Sequence, residues 1–163
     1  MKTYCTINQH QSAFSLIELI ITLAILAVLA SIAAPLLEVT VQRNKEQELT
    51  TALRTMREAI DAYKQASDEG RISKSSDESG YPKTLEVLVE GIEDARDIKK
   101  NKLFFLRRLP KDPMLEIGLN DLPQWGLRSY RSSADKPEPG IDVFDVYSLS
   151  DEAGLNEVPY NQW

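Results

Sequence analysis

Residues 12–35 read S-A-F-S-L-I-E-L-I-I-T-L-A-I-L-A-V-L-A-S-I-A-A-P. From Leu19 to Leu37 only Thr22, Ser31 and Pro35 depart from apolar character. About 20 such residues, wound as a helix, span the hydrocarbon of a bilayer. Glu18 stands at the head of this run, and its presence decides how the run is read. An ionised acid at the centre of a membrane helix costs about 2.5–3.5 kcal/mol even on a lenient scale. Glu18 is not central, so its cost is smaller, but an acid in this place needs a partner.

Three readings compete. A secretory signal peptide needs a basic start, an apolar core of about 7–15 residues and a small-x-small cleavage site. Ser31-Ile32-Ala33 supplies such a site, but residues 1–13 offer only Lys2 as a fixed positive charge. A plain membrane anchor needs the apolar run and nothing more. Neither gives Glu18 a task. The third reading cuts the chain between Ala13 and Phe14. Phe14 then carries a new α-amino cation, and Glu18 follows four residues later, on the same face of a helix. When such helices pack side by side, the acid of one meets the amine of another. At about 4 Å and an effective dielectric near 20 the pair attracts by roughly 4 kcal/mol, part of which desolvation removes. An unpaired acid among packed helices is penalised, so the pair sets the register of assembly.

The remainder of the composition narrows the function. The chain has 163 residues and a net charge of −6, with 25 acids against 19 bases. That balance argues against a nucleic-acid partner, which requires clustered Lys and Arg. The single cysteine, Cys5, and the single histidine, His10, both precede Phe14. A chain cut before Phe14 has no thiol for a disulfide and no imidazole. It also lacks the usual nucleophile–base pairs and His/Cys zinc sites. These absences argue against an enzyme, and no residue is singled out as catalytic.

The run Ala13-Phe14-Ser15-Leu16-Ile17-Glu18 resembles the cleavage and methylation signature of type IV pilins and type II secretion pseudopilins. The resemblance implies that a prepilin peptidase cuts before Phe14 and methylates its amine, and that Glu18 assists assembly. Ala13 stands where this family usually has Gly. Pro35 matches a proline common in the family. On physical grounds Pro35 removes one backbone donor and clashes with the carbonyl of Ser31. A kink or a loosened turn is therefore expected at 31–36.

Beyond Leu37 the pattern becomes amphipathic. Leu49, Leu53, Met56, Ile60 and Tyr63 are spaced 4, 3, 4, 3, one stripe of a helix. One helix is expected from about Phe14 to about Ser67, ended by the polar, Gly-containing stretch up to Gly80. Residues 81–90 read as a short helix, with Pro82 at its start and Gly91 at its end. Residues 93–102 read as charged and exposed, Leu103 to Leu106 as packed on the core, and Arg107-Arg108 as surface. Residues 125–131 and 143–149 read as strands. The fold class is α+β, a long N-terminal helix packed on a small C-terminal antiparallel sheet, and the resemblance makes it pilin-like. The expected organisation is a leader at 1–13, a transmembrane and assembly helix at 14–37, an amphipathic half-helix at 38–67 and a periplasmic head at 68–163. Tyr160 and Trp163 are expected to anchor the tail.

Leu109-Pro110-Lys111-Asp112-Pro113, Trp125-Gly126 and the stretch from Phe144 to Gly154 are similar to the major pseudopilin group of type II secretion. That resemblance implies a calcium-binding loop after the last strand. Calcium takes six to eight oxygens, and the candidates are Asp151, the carbonyl of Leu149, Asn156 and Glu157. The plain alternative is a solvated acidic turn. The function implied is a structural subunit of a secretion pseudopilus in the bacterial inner membrane, single-pass with a periplasmic head. Its partners are then its own copies, other pseudopilins, prepilin peptidase, an inner-membrane assembly platform and the lipid bilayer. The alternatives are a type IV pilin or minor pilin of a surface fibre, or a membrane-anchored periplasmic binding protein. The lack of cysteine after residue 13 favours the pseudopilin over a disulfide-closed pilin.

Overall fold

A computed structural model describes residues 15–115 and 123–163, with the backbone alone for 32–36. Helix α1 spans Leu16–Asp68, 53 residues, as the two consecutive patterns of apolar run and amphipathic stripe require. The backbone stays α-helical through 31–36, so the loosened turn expected at Pro35 is not found. One missing N–H costs a single bond, and the turns on either side hold the helix. Among the described residues no helix is long and apolar enough to cross a membrane. Residues 32–36, whose side chains are not described, fall inside the apolar run.

The C-terminus of α1 is a Schellman turn. Gly70 N–H donates to Ser67 O, Arg71 N–H donates to Ala66 O, and Gly70 takes φ 72°. This pairing satisfies carbonyls that the helix end leaves open.

The chain divides into two units, Met1–Val41 and Gln42–Trp163. In the second, the predicted stripe is the core: Leu49, Leu53, Met56, Ile60 and Tyr63 are all buried. Ala52, Ala59 and Ala66 are buried beside it. They meet Leu85, Leu88, Leu106, Trp125, Val143, Val146 and Tyr160. Each large buried side chain contributes about 1.5–3 kcal/mol. An exposed helix pair such as Arg54–Glu58 contributes about 0.3–0.5 kcal/mol. Core packing therefore sets which face of α1 the head covers.

The β structure is two separate two-stranded antiparallel ladders rather than one sheet. Strands β3 (Gly126–Arg128) and β4 (Asp145–Tyr147) pair in the register Gly126↔Tyr147, Leu127↔Val146, Arg128↔Asp145. Both are shorter than the alternation suggested. Gly126 is obligatory here, because a Cβ would sit 2.2 Å from the Tyr147 ring. Strands β1 (Ile92–Glu93) and β2 (Lys102–Leu103) form a hairpin where the sequence read only an exposed charged segment. Within it Asp94 is buried and accepts both Nε (2.9 Å) and Nη2 (2.8 Å) of Arg71. Of Leu103 to Leu106, Leu106 and Phe105 pack inward while Phe104 is 64% exposed.

Helix α2 is only Glu86–Glu90, closed by Gly91 at φ 75°. It does not begin at Pro82. Pro82 is buried and its carbonyl accepts Val143 N–H at 2.8 Å, which binds residue 82 to the approach of β4 instead of to a helix. The tail ends in a 3₁₀ turn, Tyr160–Gln162. As expected, Tyr160 is fully buried, and Trp163 meets it edge-on with ring centroids 5.1 Å apart.

Candidate assembly site and C-terminal loop

In the first unit, Ser15 and residues 16–31 of α1 are exposed throughout, the large apolar side chains from Leu16 at 75% to Ile21 at 52%. A contiguous apolar surface of this extent marks a protein or membrane contact. Its hydroxyls need no outside partner: Thr22 Oγ1 donates to Leu19 O at 2.8 Å and Ser31 Oγ to Ala27 O at 2.9 Å. Glu18 differs. It is the only ionisable residue of 15–31 and lies in the first turn of α1, where the helix dipole favours an acid by about 0.3–1 kcal/mol. Among the described residues no cation pairs with it. Ala13 and Phe14, the proposed cleavage residues, lie outside the described residues. Pro35 lies within the helical backbone of α1.

In the second unit, Ser148 opens the C-terminal loop. Its hydroxyl donates to Asp112 Oδ2 at 2.6 Å and accepts Ser150 N–H at 3.1 Å. The Ser150 hydroxyl in turn accepts Glu152 N–H at 3.3 Å. Trp125 Nε1 donates to Pro110 O at 3.0 Å, so the 109–113 connection is fixed to β3 as well. The loop then folds back on itself. Gly154 N–H donates to Val158 O, Glu157 N–H to Gly154 O and Tyr160 N–H to Glu152 O, with an antiparallel bridge Ala153↔Pro159. Asp151, Leu149, Asn156 and Glu157 are all exposed.

The prokaryotic N-terminal methylation motif matches residues 8–34. Over 150 residues the chain is 30% identical to a type II secretion system core protein G of Vibrio cholerae, covering 90% of this chain and 86% of that one. The chain belongs to the core protein G family of type II secretion systems. A second member, the core protein G of Aeromonas hydrophila, is 26% identical over 154 residues, covering 92% and 91%. No solved structure matches the chain.

For a core protein G chain, the calcium expectation can be set against the donors present. Asn156 Oδ1 accepts Val158 N–H at 3.1 Å. The Val158 carbonyl accepts both Gly154 N–H and Trp163 Nε1. Among the described residues no three His, Cys, Asp or Glu side chains are grouped so as to hold a metal ion, so Asp151, Glu152 and Glu157 do not converge. Calcium takes six to eight convergent oxygens, and clustered carboxylates do not supply them here, so carbonyl and amide oxygens would have to make up most of the shell.

Sequence reasoning passed over three polar residues that organise the head. Arg57 Nε donates to Asp145 Oδ1 at 2.7 Å, and its Nη2 to Val146 O at 3.1 Å and Trp163 O at 2.8 Å. Asp142 is buried and accepts Ser129 Oγ, Ser79 Oγ and Tyr130 N–H. Glu46, half-buried on α1, accepts from the C-terminal loop. The last had a signal. Extending the stripe from Leu49 toward the N-terminus by the same 3, 4 steps lands on Glu46 and Gln42, which places both on the face that the head covers.

Proposed function

We propose that this chain is a structural subunit of a type II secretion pseudopilus. The observation that carries the reading is the similarity to core protein G over nine-tenths of the chain, joined to an exposed apolar helix with one acid in its first turn. The precursor sits in the inner membrane with its head in the periplasm. Leu19 to Leu37 is 19 residues, which at 1.5 Å each is about 28 Å of helix, close to the thickness of the hydrocarbon. Prepilin peptidase removes residues 1–13 and methylates Phe14. The α1 helices of successive copies, and of other pseudopilins, then pack side by side, and an inner-membrane platform drives their addition.

Glu18 selects register in this scheme. Its carboxylate pairs with the Phe14 amine of a neighbouring copy once both leave lipid for the packed fibre. The charge pair is worth most where water is excluded, and misaligned packing leaves both ions bare. No step requires bond chemistry by the chain itself, and no catalytic residue is assigned.

Glu18→Ala tests the scheme. The variant is expected to reach the membrane at wild-type level and to be cut normally, while cross-linked multimers and secretion fall at least tenfold. Multimers at wild-type yield would remove Glu18 from assembly. A membrane-anchored binding protein would also be indifferent to this change.

A further inference from the structure

The helix α1 carries a carboxylate where its buried stripe passes under the C-terminal loop. Glu46 Oε1 accepts Leu155 N–H at 2.8 Å and the Tyr160 hydroxyl at 3.0 Å. The Tyr160 oxygen in turn accepts Gln42 Nε2 at 3.1 Å. One oxygen thus fastens both the tip of the loop, 109 residues away in sequence, and its exit, 114 residues away. The fit is close. A Cβ at Gly154 would stand 3.3 Å from Glu46 Oε1 and 2.6 Å from Trp163 Cζ2. Burial and the Glu46 contact both keep the Tyr160 hydroxyl protonated, its pKa raised first by desolvation and then by the acid. The hydroxyl therefore remains a donor.

We propose that Glu46 is an internal clasp for residues 149–160, and that the loop keeps its fold through this carboxylate without a divalent cation. A cation site gathers acids that would otherwise repel. Here the loop's own acids stay apart and exposed. The carboxylate that α1 brings to the loop is met by N–H and O–H donors, which a cation would have to displace. Hydrogen bonds to an ionised acceptor are about twice as strong as neutral ones, so the clasp holds the loop in the place of metal ligands. The inference concerns the head alone and does not rest on the pseudopilus reading.

The test uses the full chain in detergent micelles. Thermal unfolding is followed in millimolar calcium and in excess chelator, and hydrogen exchange is read on peptides covering 149–160. The wild type is expected to melt at the same temperature in both buffers, because a ligand that binds only the folded state must raise the melting point. Glu46→Ala is expected to lower the melting temperature by roughly 5 °C. It should also speed exchange of 149–160 at least tenfold while exchange in residues 52–63 of α1 is unchanged, and calcium should not restore it. Glu46→Gln, which keeps the shape and one acceptor, should fall between, and it serves if the alanine variant does not fold. A wild-type melting temperature that rises in calcium would overturn the proposal. So would unchanged exchange at 149–160 in either variant.

Discussion

Asp142, Asp112 and Glu46 each fasten an irregular segment of the head. Asp142 ties residue 79, the end of β3 and the approach to β4 through one buried side chain. Burial opposes its ionisation, but hydrogen bonds from Ser129, Ser79 and the Tyr130 amide outweigh that and hold its carboxyl below the ordinary 3.8. Because the folded pKa is depressed, the stability it gives is present above the unfolded carboxylate range. It is lost as pH falls through the lower folded value. The melting temperature is therefore expected to drop between about pH 5 and pH 2, where free carboxylates titrate. Asp142→Asn should cost about 2 kcal/mol at neutral pH and make that drop shallower, as read by calorimetry across the range. A slope identical to wild type would show that Asp142 does not carry this dependence. Glu46 lay on the extended stripe of α1, whereas nothing in the sequence marked Asp142 or Asp112 as buried acceptors, for one reason. Each is an acid among many acids, and only the fold shows which ones meet donors away from water.

At the scale of elements, the helices and strands differ in how readable they were. The stripe at 49, 53, 56, 60 and 63 fixes α1 because a period of 3.6 repeated over several turns has no competing explanation. The two longer strands and their antiparallel association were placed, but their lengths and register were not. Pairing is decided by contacts far apart in sequence, such as Gly126 with Tyr147. The β1–β2 hairpin was missed because strands of two residues carry no alternation to detect. Pro82 was read as a helix start, but its carbonyl is taken by Val143, which is a tertiary preference overriding a local one. The β3–β4 ladder depends on Gly126. Gly126→Ala forces a methyl into the Tyr147 ring and should cost roughly 1–3 kcal/mol, seen as a lower denaturation midpoint. Shortening the facing side chain, Tyr147→Ala combined with Gly126→Ala, should cost less than the sum of the two single changes. Strict additivity would mean that the two residues do not press on one another.

At the scale of the whole molecule, one helix joins two different chemistries. Its first half is an exposed apolar surface with a single acid in the first turn. Its second half is the spine of a folded head. The first half and its acid were legible in residues 12–35, because a charge in so apolar a run stands out against everything around it. The C-terminal loop gave no such signal: its ties to α1, from Leu155 N–H and the Tyr160 hydroxyl to Glu46, join residues more than 100 apart in sequence. A processed pseudopilus subunit carries the mark of its processing at its N-terminus. Intact mass and N-terminal sequencing of the protein from its native membrane should find a chain that begins at N-methylated Phe14, lacking residues 1–13. A chain that begins at Met1, or near Ala34, would contradict the account and leave Glu18 without the amine it is proposed to meet.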